Sequence, residues 1–74
     1  MNSIVLKEDY IKLGQALKAC GLVSSGIEAK IEITSGNVKV NGEVDERRGR
    51  KLYPGDIVEF NEEKIEILGK DNDN

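Results

Sequence analysis

The run from Gly36 to Val44 constrains this chain more than any other part of its sequence. Val38 and Val40 alternate with Lys39, Asn41-Gly42 follows, and Glu43-Val44 resumes the alternation. β-Branched residues at every second position describe a half-buried strand. Asn-Gly between two such arms is the strongest short hairpin signal, because both central residues of a type I′ turn need positive φ. Side chains alternate across a strand, so Val38 and Val40 share one face and Lys39 takes the other. A hairpin alone is marginal in water, and this one needs more strands and a covering layer.

Those elements are legible on both sides. Ser3–Lys7 is short, apolar and partly β-branched, and fits an opening strand. Asp9 is placed to cap a helix starting near Tyr10, with Leu13, Leu17 and Cys20 on one face and Ala16 beside them. Gly21 suits the left-handed position that closes such a helix, with Leu22 folding back onto its last turn. Residues 25–34 carry two signals. Ser25 with Glu28 is a capping box and Gly36 a stop, whereas Ala29–Thr34 alternates like a strand. Bracketing by cap and stop favours helix, with Ala29 and Ile33 on its buried face. Downstream, Tyr53-Pro54-Gly55-Asp56 has proline and glycine at the centre of a type II turn. Ile57–Phe60 and Lys64–Leu68 read as strands joined around Asn61-Glu62-Glu63. The expected fold class is α+β, with residues 1–70 as one domain: two helices packed on a small, mostly antiparallel sheet of about four to five strands. Residues 71–74 are expected to be a frayed polar tail.

Composition narrows the function. The chain has 74 residues, too few for a second domain, and a domain of this size buries only ~60% of its unfolded surface. Cys20 is the only cysteine, so no internal disulfide forms, and the reducing cytoplasm is the expected setting. On the apolar helix face Cys20 reads as a small core residue. Histidine is absent, which excludes a Cys/His zinc site, a Ser-His-Asp triad and a histidine base. So short a chain hardly encloses a dry pocket around paired carboxylates. The expectation is a binding module, not an enzyme, with no cofactor and no metal. No apolar run approaches the ~20 residues of a membrane span, and the Met1 end has no signal-peptide core.

The net charge of −3 argues against nucleic acid only until its distribution is considered. Residues 10–30 carry +2 and residues 31–51 carry +1, whereas residues 52–74 carry −5. A phosphate backbone responds to the local patch, since charges beyond ~8 Å are screened at physiological salt. Arg47-Arg48-Gly49-Arg50-Lys51 places four cations in five residues. Lysine and arginine neutralise phosphates and release counterions, and arginine adds a planar fork. The other reading of this run is a solvated loop neutralised by Glu43, Asp45 and Glu46. Lys12, Lys18 and Lys30 are equally compatible with ordinary helix-surface positions, and Asn41-Gly42 and Gly55-Asp56 are read as turn chemistry. Gly14 inside a helix costs ~1 kcal/mol relative to alanine. It implies close packing against a neighbouring element or close approach of a ligand to bare backbone. Of the aromatics Tyr10, Tyr53 and Phe60, the last is assigned to the core, so no stacking platform for a single strand is expected. Recognition of a folded RNA by shape and backbone is the more consistent mode. A second function class is a protein-interaction module. It would use the acidic stretch Glu59–Glu63 and a strand edge at Ile4–Leu6 or Ile65–Leu68. No large apolar stripe is left over, which favours a monomer.

The order and spacing of Gly21-Leu22, Ser25, Ala29, Ile33, Gly36, Val38, Val40, Asn41-Gly42 and Gly55-Asp56 carry a resemblance. From about Tyr10 to Phe60 the chain resembles the RNA-binding domain of small-subunit ribosomal protein S-four, also called the alpha-L motif. Within that family it is most similar to the short stand-alone bacterial members of the YaaA/YbcJ type, which share the run Arg47–Lys51. The resemblance implies two helices on a small, mostly antiparallel sheet, and a groove between helices and hairpin that takes structured RNA. By position it implies RNA contacts at Lys12, Ser25, Lys30, Lys39, Arg47, Arg48, Arg50 and Lys51. The implied partner is ribosomal RNA or a ribosome assembly intermediate, with ribosomal proteins as further neighbours. Two positions depart from the broader family: Lys12-Leu13-Gly14 stands for Arg-Leu-Asp, and Ser25-Gly26 for Ser-Arg.

Overall fold

A computed structural model describes residues 2–69. The hairpin forms as the sequence demands. Strand β3 (Val38–Val40) pairs antiparallel with β4 (Glu43–Val44), and the turn residues Asn41 and Gly42 have φ of 54° and 89°. The Asn41 side chain also braces the next strand: its Nδ2 donates to Asp56 Oδ1 (3.0 Å), and its Oδ1 accepts from Ile57 N (2.9 Å). Asp56 in turn accepts from Tyr53 N, and Gly55 has a φ of 97°, as the type II turn requires. Asn41-Gly42 and Gly55-Asp56 are therefore turn chemistry that locks two loops together.

Strands β6 (Ile57–Phe60) and β7 (Glu63–Leu68) extend the sheet antiparallel to β3, and β1 (Asn2–Val5) joins the far side of β7. The five-stranded order is β1-β7-β6-β3-β4. β1 runs parallel to β7, which makes Ile65–Leu68 an interior strand and leaves the edges to β1 and β4. The expected edge at Ile65–Leu68 is thus corrected. A strand pairing with the opposite end of the sequence leaves no local turn signal. A separate two-stranded ribbon, β2 (Ile11–Lys12) with β5 (Lys51–Leu52), was also not anticipated.

Val38, Val40, Val58, Phe60, Ile65 and Ile67 form one buried cluster with Leu13, Ala16, Leu17, Ala29 and Ile33 of the helices. Leu52 joins from the ribbon. Helix α1 spans Leu13–Ala19 and α2 spans Gly26–Thr34. The strand-like alternation at Ala29–Thr34 loses to the cap and stop, but it has a visible result. Ile27 and Ile31 lie one turn apart and exposed, at 74% and 56% of their full surface. That pair is apolar surface the expectation of no leftover stripe did not foresee.

Helix α1 begins later than Asp9 and Tyr10 suggest. Residues 11–12 are drawn into the ribbon, which leaves Lys12 at the N-cap position, and an ammonium has no acceptor with which to make a side-chain cap bond. Both helices end alike. Gly21 and Gly36 adopt φ of 74° and 83°. Leu22 N donates to Leu17 O, and Asn37 N to Glu32 O, closing the last turns in Schellman geometry. Cys20 is partly buried against the core, and burial pushes its thiol pKa up, as befits a packing residue.

The β6–β7 turn consists of Asn61 and Glu62, with φ of 57° and 69°. Asparagine tolerates this region, whereas glutamate adopts it at a cost. Glu62→Gly is expected to raise stability by about 0.5–1 kcal/mol, read as a higher urea midpoint at unchanged slope. A lowered midpoint would show that the turn is not strained. The tail proposed for 71–74 lies outside the described residues.

Candidate nucleic-acid interface

The site is assembled where the basic loop docks on the start of α1. The first amides of a helix lack intrahelical partners. Here the loop supplies them: Leu13 N donates to Arg50 O (2.8 Å) and Gly14 N to Arg48 O (3.1 Å). Gly14 is buried at this contact, and a Cβ there would lie 2.9 Å from Arg48 Cγ. The glycine expected inside a helix thus falls in the first turn of α1, where it serves close packing of the loop backbone and Arg48.

Asp45 organises the loop from within. It is 6% exposed, and its amide donates to Val38 O, which fixes it to β3. Oδ1 accepts from Arg47 N (2.9 Å) and Arg47 Nε (3.0 Å); Oδ2 accepts from Arg47 Nη2 (2.8 Å) and Arg50 Nη1 (2.6 Å). The Arg47 side-chain bonds, with those of Arg50 and the Arg47 amide, hold the Asp45 carboxyl well below the usual carboxylate range against the opposing effect of burial. Arg47 is correspondingly raised by Asp45. Two of the four loop cations are therefore committed to an internal carboxylate.

Between α1, α2 and the loop lies an open cleft of about 310 Å³, lined by Lys12, Gly14, Gln15, Gly26, Ala29, Arg48 and Gly49. Gly26 and Gly49 are exposed, so backbone lies at the surface there without Cβ obstruction, whereas Gly14 is covered by Arg48. Lys12 and Arg48 bring positive charge to its wall. Lys30 is exposed one turn beyond Gly26, on the same side of α2.

The remaining expected contacts fall elsewhere. Ser25 caps its own helix: its Oγ accepts from Glu28 N (3.1 Å). The reciprocal bond shifts by one residue, with Glu28 Oε1 accepting from Ser24 N and Ser24 Oγ (2.8 Å each). Those bonds, the Ser24 amide first, lower the Glu28 pKa and keep a negative charge at the start of α2. Lys51 stands beside the cleft on the ribbon, with Nζ 4.9 Å from the Tyr10 ring centre. Lys39 faces away from the buried valines, in a cross-strand row with Glu59, which pairs with Lys64 at 3.6 Å. The sheet thickness separates Lys39 from the cleft. Gln15, Gly26 and Gly49 line the cleft without having been anticipated as contacts; their residue types carry no charge signal. Among the described residues no helix is long and apolar enough to cross a membrane.

Comparison with known proteins agrees with this architecture. A family model described as S4 domain matches residues 4–68. The chain is 48% identical over 59 residues to the probable ribosome maturation protein RlbA of Bacillus subtilis (strain 168), covering 80% of this chain and 83% of that one. It is 36% identical over 62 residues to YbcJ of Escherichia coli (strain K12), covering 84% and 89%. The solution structure of YbcJ from E. coli, described as revealing an alfaL motif involved in RNA-binding, superposes with a TM-score of 0.71 at 35% identity, over 92% of this chain and 87% of that one. With helices, sheet and family model in agreement over nearly the whole length, the chain belongs to the S4 domain family.

Proposed function

We propose that this protein is a non-enzymatic, monomeric binder of structured RNA, ribosomal RNA or a ribosome assembly intermediate, in the cytoplasm. It grips the phosphate backbone in the cleft between α1, α2 and the loop 47–51. The observation that carries the reading is the cleft itself: Lys12 and Arg48 stand at its wall beside Gly26 and Gly49, and no acidic side chain is among its described lining residues. Arg47 and Arg50 shape the loop, and Lys30 and Lys51 supply outlying charge. The name of YbcJ, which says RNA-binding, supports RNA as the target, and that of RlbA, which says ribosome maturation, supports the ribosome as its setting.

The test is binding of labelled ribosomal RNA fragments at two salt concentrations, with duplex DNA as competitor. The expected result is an affinity that falls steeply with salt, at a slope near −0.9 per phosphate neutralised, and that DNA competes for poorly. Absence of binding at low salt would overturn the reading and favour a protein partner.

A further inference from the structure

The ribbon β2–β5 has two different faces. Ile11 and Leu52 lie opposite each other and turn to the core, where Leu52 is fully buried. Lys12 and Lys51, the other opposed pair, are exposed. One step further along the same register stand Tyr10 and Tyr53. Their rings lie 6.0 Å apart at 54°, and they are 37% and 47% exposed. By the alternation of strand side chains, Tyr10, Lys12, Lys51 and Tyr53 all share the outer face. Two of the three aromatics in the chain thus meet on the surface, flanked by two lysines. Lys12 is also a wall of the cleft, so the two surfaces are continuous.

We infer that Tyr10 and Tyr53 form a platform for an unpaired nucleobase of the bound RNA, with Lys12 and Lys51 holding the phosphates on either side. The inference rests on the RNA reading above and adds to it a preference for RNA with an unstacked base near a helix. Exposed tyrosines stack on any base through its π-face. The Lys51 ammonium lies over one face of the Tyr10 ring and holds it, so the base stacks on the free ring surface beside it. An aromatic pair serving only the core would be covered, as Phe60 is.

The experiment compares a labelled RNA hairpin with a loop of unpaired uridines against the same stem as a blunt duplex, by fluorescence anisotropy. The wild-type protein is expected to bind the hairpin at least about fivefold more tightly. Charge density alone favours the duplex, so this preference is not electrostatic. Tyr10→Leu with Tyr53→Leu keeps apolar bulk and removes the π-faces. It is expected to abolish the preference and leave duplex affinity unchanged, while the corresponding Phe pair restores it. A second readout needs no variant. Tyr10 and Tyr53 are the only tyrosines, and their ring proton signals should move upfield with the hairpin and stay still with the duplex. Equal binding of both RNAs by the wild-type protein, or a preference that survives in the Leu pair, would overturn the platform while leaving RNA binding intact. Failure of the wild-type protein to bind either RNA would overturn both readings.

Discussion

Asp45→Asn is expected to weaken both the fold and RNA binding, although it adds positive charge to the interface. The buried carboxylate accepts four bonds, three of them from guanidinium nitrogens. An asparagine keeps one acceptor oxygen and turns an amide toward Arg47 and Arg50. Loss of charged hydrogen bonds of this kind costs about 2 kcal/mol, or roughly 8–16 °C in Tm for a domain of this size. With the loop loosened, its carbonyls no longer cap α1 and Arg48 leaves the cleft, so affinity falls. Thermal denaturation and anisotropy check this directly. An unchanged Tm with tighter RNA binding would show that charge, not loop order, governs the site. The pH dependence follows from the same group. Asp45 is lowered from 3.8 by its arginines, so its contribution is fully present above about that pH. It is lost as pH falls on through the folded value. The wild-type urea midpoint should therefore drop in acid more steeply than that of Asp45→Asn.

Lys12→Ala with Arg48→Ala should reduce RNA affinity about 30-fold near physiological salt and make the salt slope shallower by about 1.8. Both residues are exposed, and losing the Arg48 stem that packs on Gly14 should cost no more than about 1 kcal/mol. Lys39→Ala, which removes one positive charge from the far face of the sheet, should leave affinity and slope nearly unchanged. A Lys39→Ala loss about half that of the cleft pair on the logarithmic scale would mean that RNA follows diffuse charge rather than the cleft.

Where the chain makes its own local decisions, the sequence was enough to read them. Asn41-Gly42, Pro54-Gly55, the Ser25 cap and the glycine stops at 21 and 36 each act within a few residues, and each forms as expected. What was not legible is pairing over distance. β1 reaches β7 from the other end of the chain, and residues 11–12 leave the helix to meet 51–52. The site divides in the same way. The parity of Lys39 between two valines already assigned it to the opposite face. Nothing in Arg47-Arg48-Gly49-Arg50 tells which arginines bond Asp45, because that depends on Asp45 being anchored to β3 and Arg48 lying on Gly14. The two tyrosines, far apart in sequence, become neighbours only through the ribbon.

The most direct test of the central claim is a backbone NMR titration of the labelled protein with a structured ribosomal RNA fragment. The account predicts shifts concentrated at Lys12, Gly14, Gln15, Gly26, Arg48 and Gly49 that shrink as salt rises, with Lys39, Glu59 and Lys64 unmoved. Shifts centred on the outer sheet face, or no shifts at low salt, would contradict it.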